Sequence, residues 1–275
     1  MRLGDVGELG LLAELERRGL AVAIENDAAR LADGRVITQD ALVEGVHFRH
    51  DWISWRELGF RAAAVNLSDL AASGAEPEGL VVTLAAPSGT EVADVVELYE
   101  GIAEAGVPVI GGDTSAADRL VLSVTAIGRS ERIPGRAGAE PGDRLVVTGP
   151  LGAAGAAFRA GRYARPPLRL EEGRELARTA HAMLDVSDGL ARDAGHLARR
   201  SGCRVVVRLE QVPLAEGAGP ADLGFGEDYE LLAALPAGST GFSEIGTCEE
   251  GEGVELLLDG DPVELGGYEH FAQDG

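Results

Sequence analysis

Between Arg129 and Gly142 the chain reads Arg-Ser-Glu-Arg-Ile-Pro-Gly-Arg-Ala-Gly-Ala-Glu-Pro-Gly. The stretch is rich in glycine, proline and charge, and it separates two apolar runs that read as strands, Leu120–Ile127 and Arg144–Thr148. That is the composition of a connection between folding units rather than of an element. A chain of 275 residues is long enough for two ordinary domains, each with its own core. The expected division is residues 1–133 and 134–275.

Working outward, strands and helices alternate on both sides. Residues 8–18 carry Leu9, Leu12 and Leu15 at helical spacing, with Gly19 as a stop. Arg35–Gln39 predicts a short strand that delivers Asp40 at its end, and residues 54–73 an Ala-rich helix stopping at Gly74 and Pro77. Gly79–Ala86 reads as a buried strand, 90–105 as a helix, and Val107–Ile110 as a strand running into Gly111-Gly112-Asp113-Thr114. Beyond the connection, helices are expected near 152–160, 171–182 and 189–200, and short strands and turns close the chain. No Gly-x-Gly-x-x-Gly follows a strand and opens a helix, so the pattern is not the dinucleotide-binding one. Two α/β or α+β domains are what the pattern implies.

The charge balance is 24 basic against 46 acidic residues, −22 in all, and every basic residue is an arginine. That balance argues against nonspecific binding to nucleic acid or to an anionic membrane. It also serves plain solubility, and the arginine-only usage is what a GC-rich genome gives. Without lysine there can be no Walker-type loop, whose Lys reaches the terminal phosphates. A nucleotide would have to be neutralised by metal ions and arginines. Cys203 and Cys248 are far apart and lack a Cys-x-x-Cys partner, which excludes a zinc framework and leaves them as small buried hydrophobes. No apolar run reaches the roughly 18 residues of a membrane span. Met1–Gly10 shows no signal-peptide pattern, so a cytoplasmic location is expected.

Six aspartates stand in short polar or Gly-containing motifs: Asp27, Asp40, Asp69, Asp113, Asp185 and Asp188. Scattered carboxylates in tight turns are what hard, oxygen-binding cations need. Each motif also has an ordinary reading. Glu25-Asn26-Asp27 is a polar turn or part of a cation site. Asp40 ends a strand, and His47, seven residues on, is a surface residue or a substrate contact. Asn66 and Asp69 fall on one face of a helix among alanines, where a carboxylate needs a metal or an arginine as partner. Gly111-Gly112-Asp113 is a turn or a place where backbone N–H groups approach a phosphate. Asp185-Val186-Ser187-Asp188-Gly189 is a helix cap or an anion site at a helix N-terminus. Gly226-Glu227-Asp228-Tyr229-Glu230-Leu231 is a further polar motif, and Gly267-Tyr268-Glu269-His270-Phe271 packs the chain end or stacks on a heteroaromatic ring.

In this order and spacing, the segments Leu42–Phe48, Val65–Ala72, Gly111–Thr114, Asp185–Leu190, Gly226–Leu231 and Gly267–Phe271 resemble those of thiamine-monophosphate kinases. These belong to the ATP-using, aminoimidazole-ribonucleotide-synthetase-like superfamily. The resemblance runs from Glu8 to Phe271. It implies a two-domain α/β fold whose N-terminal sheets pair across a homodimer, and direct transfer of the ATP γ-phosphoryl group to thiamine monophosphate. It implies several Mg²⁺ ions on Asp27, Asp40, Asp69, Asp113, Asp185 and Asp188, with Thr38 and Gln39 assisting. Gly112, Asp113, Arg136 and Ser187 match ATP contacts, and His47, Glu227 and Tyr268 match contacts to the thiamine phosphate. The sequence departs from the family where Glu25-Asn26-Asp27 stands for Gly-Asp-Asp, and where Gln39 stands for Thr. Those departures leave room for a weakened paralogue that binds without turnover. A same-superfamily enzyme with another acceptor is the other alternative, although neither an N-terminal reactive Cys nor a C-terminal Cys is present.

Overall fold

A computed structural model describes residues 2–21, 26–238 and 241–268. Glu25 and Glu269-His270-Phe271, singled out above, lie outside the described residues.

The first half is a five-stranded sheet with one helix packed on it and a second helix against that one. Helix α1 (Leu3–Arg17), kinked at Gly7, precedes strands β1 (Ala29–Arg30) and β2 (Arg35–Val43). Helix α2 (Trp55–Ala72), β3 (Glu76–Ala86), α3 (Val92–Ala103), β4 (Val109–Ala116) and β5 (Val121–Arg129) follow. The strand order is β1-β2-β5-β3-β4, with β4 parallel to β3 and the other pairs antiparallel.

Helix α2 starts because Ser54 and Glu57 form a reciprocal capping box. It is buried on nearly every side, from Leu58 to Ala72, because it lies between the first sheet and elements of the second half. Each buried leucine on it contributes roughly 1.5–3 kcal/mol. Two glycines let α2 and α3 touch backbone to backbone: a Cβ on Gly59 would stand 1.8 Å from the Leu98 carbonyl oxygen, and one on Gly101 1.8 Å from that of Arg56.

The second half begins with β6 (Arg144–Val147), α4 (Ala153–Arg159), α5 (Leu170–Ala177), β7 (Ala182–Asp185), α6 (Leu190–Ser201) and β8 (Arg204–Arg208). Strands β9 (Leu231–Leu235), β10 (Ser243–Glu249), β11 (Gly253–Leu258) and β12 (Asp261–Val263) complete it. They form a seven-stranded sheet in the order β12-β11-β8-β10-β6-β9-β7. The architecture is the expected two-domain mixture of strands and helices. Among the described residues no helix is long and apolar enough to cross a membrane.

Three elements differ from the sequence reading. The strand expected over Arg35–Gln39 runs on to Val43 in antiparallel pairing with β5, so Asp40 lies within it and not at its end. The helix expected over 171–182 ends at Ala177, because Arg132 guanidinium nitrogens take the carbonyls of Ala177 and Ala180 (the latter at 2.7 Å), and Ala182 already pairs with Ala234 in the sheet. The strand at Val107–Ile110 does not stop at the glycines. It starts at Val109 and continues to Ala116, with Gly112 paired to Val82 and Asp113 to Thr83.

Candidate active site

The site forms where β2, α2 and β7 meet. Strand alternation sends Thr38 and Asp40 to the α2 side of the sheet. The Asp40 N–H donates to Asn66 Oδ1 at 2.9 Å, and the Asn66 amide donates to the Ala62 carbonyl at 2.9 Å. One turn on, the Asp69 carboxylate accepts from the Thr38 hydroxyl, which also lies 3.1 Å from the Asp27 carbonyl. From the second sheet β7 delivers Asp185, which accepts from Ser68 Oγ at 2.6 Å. The result is three carboxylates, Asp27, Asp69 and Asp185, with oxygens all within 4.8 Å of one another.

Such crowding is unfavourable without a cation. Burial raises the Asp69 pKa well above the usual carboxylate range, and Asp40, Asp185 and Asp27 push it further. Burial and then Asp27 raise Asp185 to about 7. Burial also raises Asp27, against the pull of Arg136, whose Nε donates to Asp27 Oδ1 at 2.9 Å. The donors are hard carboxylate and hydroxyl oxygens gathered at one point, which is the set a divalent cation such as Mg²⁺ takes.

Next to this cluster, the turn after β7 carries Ser187 and Asp188. Asp188 pairs with Arg192 at 3.2 Å, and its N–H donates to Asp193 at 3.0 Å. Asp188, Asp193 and His196 form a second close group, within 4.8 Å. Burial, and then Arg136, lower His196 to about 4, so it is neutral at pH 7. The turn is a backbone junction as well. The Glu227 N–H donates to the Ser187 carbonyl at 2.8 Å, that of Tyr229 to Val186 at 2.9 Å, and that of Tyr268 to Asp188 at 2.9 Å.

Most of these groups face one cavity of about 1000 Å³, with Asn66, Ser68 and Asp193 behind its wall. That is at the upper end for a small-molecule site and leaves room for two ligands. Asp27, Thr38, Asp40, Asp69, Arg136 and Asp185 line it on the carboxylate side, with Ser187 and Asp188 beside them. His47, Glu227 and Tyr268 line it too, together with the aromatic side chains of Phe158, Tyr163 and Phe225. His47 is held by its Nδ1, which accepts the Val43 N–H at 3.1 Å.

Three of the expected residues are placed differently. Gln39 reaches the cavity, but its amide is held by Ser123 and Thr125 of β5, both at 3.1 Å, on the opposite face from Thr38 and Asp40. Strand alternation forces this. Gly112 and Asp113 do not reach the cavity of their own chain. They sit exposed on the edge strand, separated from β2 by β5 and β3, roughly 14 Å at about 4.8 Å per strand. Gly112 has a local reason to be glycine: a Cβ there would stand 2.0 Å from the Val82 carbonyl oxygen.

Sequence reading passed over Arg61 as a site residue, and gave no role to Ser68 or Tyr229. Arg61 left a signal, being the only charged side chain between Glu57 and Asp69 in a run that has to be buried.

Comparison with known proteins places this geometry. The N-terminal domain of the AIR synthase related proteins matches residues 25–130, and the C-terminal domain matches 140–256. A thiamine-monophosphate kinase of Aquifex aeolicus is 33% identical over 98% of this chain and 100% of its own length. The chain belongs to the thiamine-monophosphate kinase family. The Escherichia coli thiamine-monophosphate kinase is 32% identical over 97% of this chain and 98% of its own. In structure, AaThiL complexed with AMPPCP and TMP superposes with a TM-score of 0.90 at 33% identity, covering 98% of this chain and 99% of the other. Hydrogenase maturation protein HypE in complex with ATP, at 20% identity and a TM-score of 0.71, shares the fold alone.

Proposed function

We propose that this chain transfers the γ-phosphoryl group of ATP directly to the phosphate of thiamine monophosphate, giving thiamine diphosphate and ADP. The single observation that carries the reading is the close group of Asp27, Asp69 and Asp185 on the wall of a cavity large enough for both substrates. A family relative bound to AMPPCP and TMP supports it.

In this reading Asp27, Asp40, Asp69, Asp185 and Asp188 hold Mg²⁺, with Thr38 fixing Asp69. Bound magnesium supplies neutralising charge to the phosphate oxygens of two anionic reactants. Arg136 and Ser187 face the nucleotide, and His47, Glu227 and Tyr268 the acceptor. The acceptor is already an anion at neutral pH, so the chain needs no strong general base; its residues position and screen. Ser68 and Thr38 fix the Asp185 and Asp69 carboxylates in advance, and Asn66 fixes the Asp40 backbone.

We further infer a homodimer joined through β4. Its residues are all exposed, Val109 and Ile110 by 39% and 59%, and an unpaired apolar edge strand is a template for a second chain. Since Gly112 and Asp113 do not reach their own chain's cavity, we infer that each chain's β4 lies toward the β2 edge of the partner's sheet, where these two residues serve the partner's cavity. The setting we infer is the cytoplasm, where ATP and magnesium are both at hand.

The test is product formation from thiamine monophosphate and Mg-ATP. Thiamine diphosphate and ADP in equal amounts, lost in Asp113→Ala, are expected. Binding of both substrates without product would overturn the reading in favour of a binding protein.

A further inference from the structure

We infer that Arg61 is a positioning residue for the acceptor: it holds the Glu227 carboxylate in the cavity wall, and through it sets the affinity for the organic cation of the acceptor. The inference rests on the thiamine-phosphate reading given above.

Arg61 is 1% exposed, in the middle of α2, and crosses from the first half of the chain to the second. Its Nη2 pairs with Glu227 Oε1. Its Nε has no hydrogen-bond partner among the described residues. Its guanidinium carbon lies 5.2 Å from the centroid of the Tyr163 ring, so an aromatic face covers it. Burying a cation this deeply is unfavourable unless its charge is matched, and an unpaired nitrogen adds to the cost. A residue needed only to fill space beside alanines would not be an arginine.

The partner carboxylate is held just as firmly by its backbone. Glu227 has φ of 59° and Tyr229 of 54°, left-handed conformations that these side chains avoid. The segment accepts them because the N–H groups of both residues are bonded to the turn at Val186-Ser187. Strain of this kind persists where surrounding structure over-determines the backbone, and it collects at ligand sites. Backbone and ion pair together leave the Glu227 carboxylate little freedom.

The charge arithmetic gives the arrangement its consequence. A bare carboxylate in the cavity that Asp40 and Asp185 also line would add to a crowded negative field. Arg61 neutralises Glu227 from behind while leaving its second oxygen, with no partner among the described residues, for the cavity. Next to it Tyr163, Phe158 and Phe225 line the same cavity. An oriented carboxylate with aromatic faces around it suits a cationic heteroaromatic ring. ATP carries no such cation, so the effect belongs to one substrate.

The experiment is steady-state kinetics of the full chain with each substrate varied in turn. For Arg61→Met, KM for thiamine monophosphate is expected to rise at least tenfold, with KM for Mg-ATP and kcat within threefold of wild type. Arg61→Lys, which keeps the charge, recovers most of the loss. Arg61→Met combined with Glu227→Gln leaves no unmatched charge in the core and keeps the test open if the single variant does not fold; it is expected to match Glu227→Gln alone. Equal rises in both KM values, or an unchanged KM for the acceptor in a folded variant, would overturn the inference while the kinase reading stands. Absence of turnover by the wild-type chain would instead remove the reading and the inference together.

Discussion

Two places in this molecule hold aspartates of the same family pattern, and they end in opposite circumstances. At the crossing of β2, α2 and β7, Asp69 and Asp185 are pinned by Thr38 and Ser68, and burial and mutual repulsion hold their pKa values high. On β4, Asp113 is exposed on an unpaired edge, beside a glycine that the neighbouring strand's carbonyl demands. The first place is organised before any ligand arrives. The second is organised only if something pairs with it. A carboxylate's role is thus decided by what surrounds it rather than by the motif that contains it.

The largest effect should come from the organised cluster. Asp185→Asn keeps the shape and removes one charge, and should lower kcat by about a thousandfold, since metal charge at the transferred group supplies several kcal/mol. Kinetics at saturating Mg-ATP check this. A loss below tenfold would mean that the cluster is structural.

The edge strand comes next. Ile110→Lys puts a charge on the exposed edge, which should turn the proposed dimer into monomers by sedimentation. Activity should fall by roughly a hundredfold, the same loss as Asp113→Ala, which should leave the oligomeric state alone. Full activity in a monomer would show that one chain contains the whole site, and that the comparison between the two regions has been drawn too sharply.

A smaller effect concerns protons. The Asp185 pKa in the folded chain is raised to about 7, above its unfolded value. Its cost is absent at low pH, where both states hold the proton, grows once pH passes the unfolded value, and is complete above the folded one. The ligand-free protein should therefore lose stability from about pH 4 to about pH 7 and level off above that. Metal has to displace those protons, so Mg²⁺ should raise Tm more at pH 8 than at pH 6, by about 3 °C or more. Thermal unfolding with and without Mg²⁺ decides it; equal gains at both pH values would remove the cluster as the binding site.

The smallest effect is expected at the departure from the family pattern. Asn26 Oδ1 accepts the Arg136 N–H at 3.0 Å, so the amide holds the loop that carries Arg136. An aspartate accepts the same bond, and Asn26→Asp should change kcat by less than threefold. A tenfold gain would show that the chain is a weakened enzyme awaiting its missing carboxylate.

Local rules made much of this legible in advance. The Ala-rich run stopped by Gly74 and Pro77 announces α2, and the Gly- and Pro-rich stretch after Arg129 announces the change of sheet. The order of the aspartate motifs announces the family. Less was legible where a residue's partner is remote. Gly111–Thr114 follows an apolar run and so read as a turn or a loop open to a phosphate, whereas parallel pairing with β3 keeps it extended. Gln39 sits in the motif but on the wrong face of its strand, held by β5.

The sequence by itself determined the family and the alternation of strands and helices, because turn residues and motif order act over a few positions. Tertiary structure decided that Asp27, Asp69 and Asp185 share one point, that Asp113 stands three strands away, and that Arg61 lies buried behind Glu227. Strand order and the course of α2 between two sheets are set by burial of apolar surface over long separations, and no local pattern encodes which distant charge that burial will bring alongside.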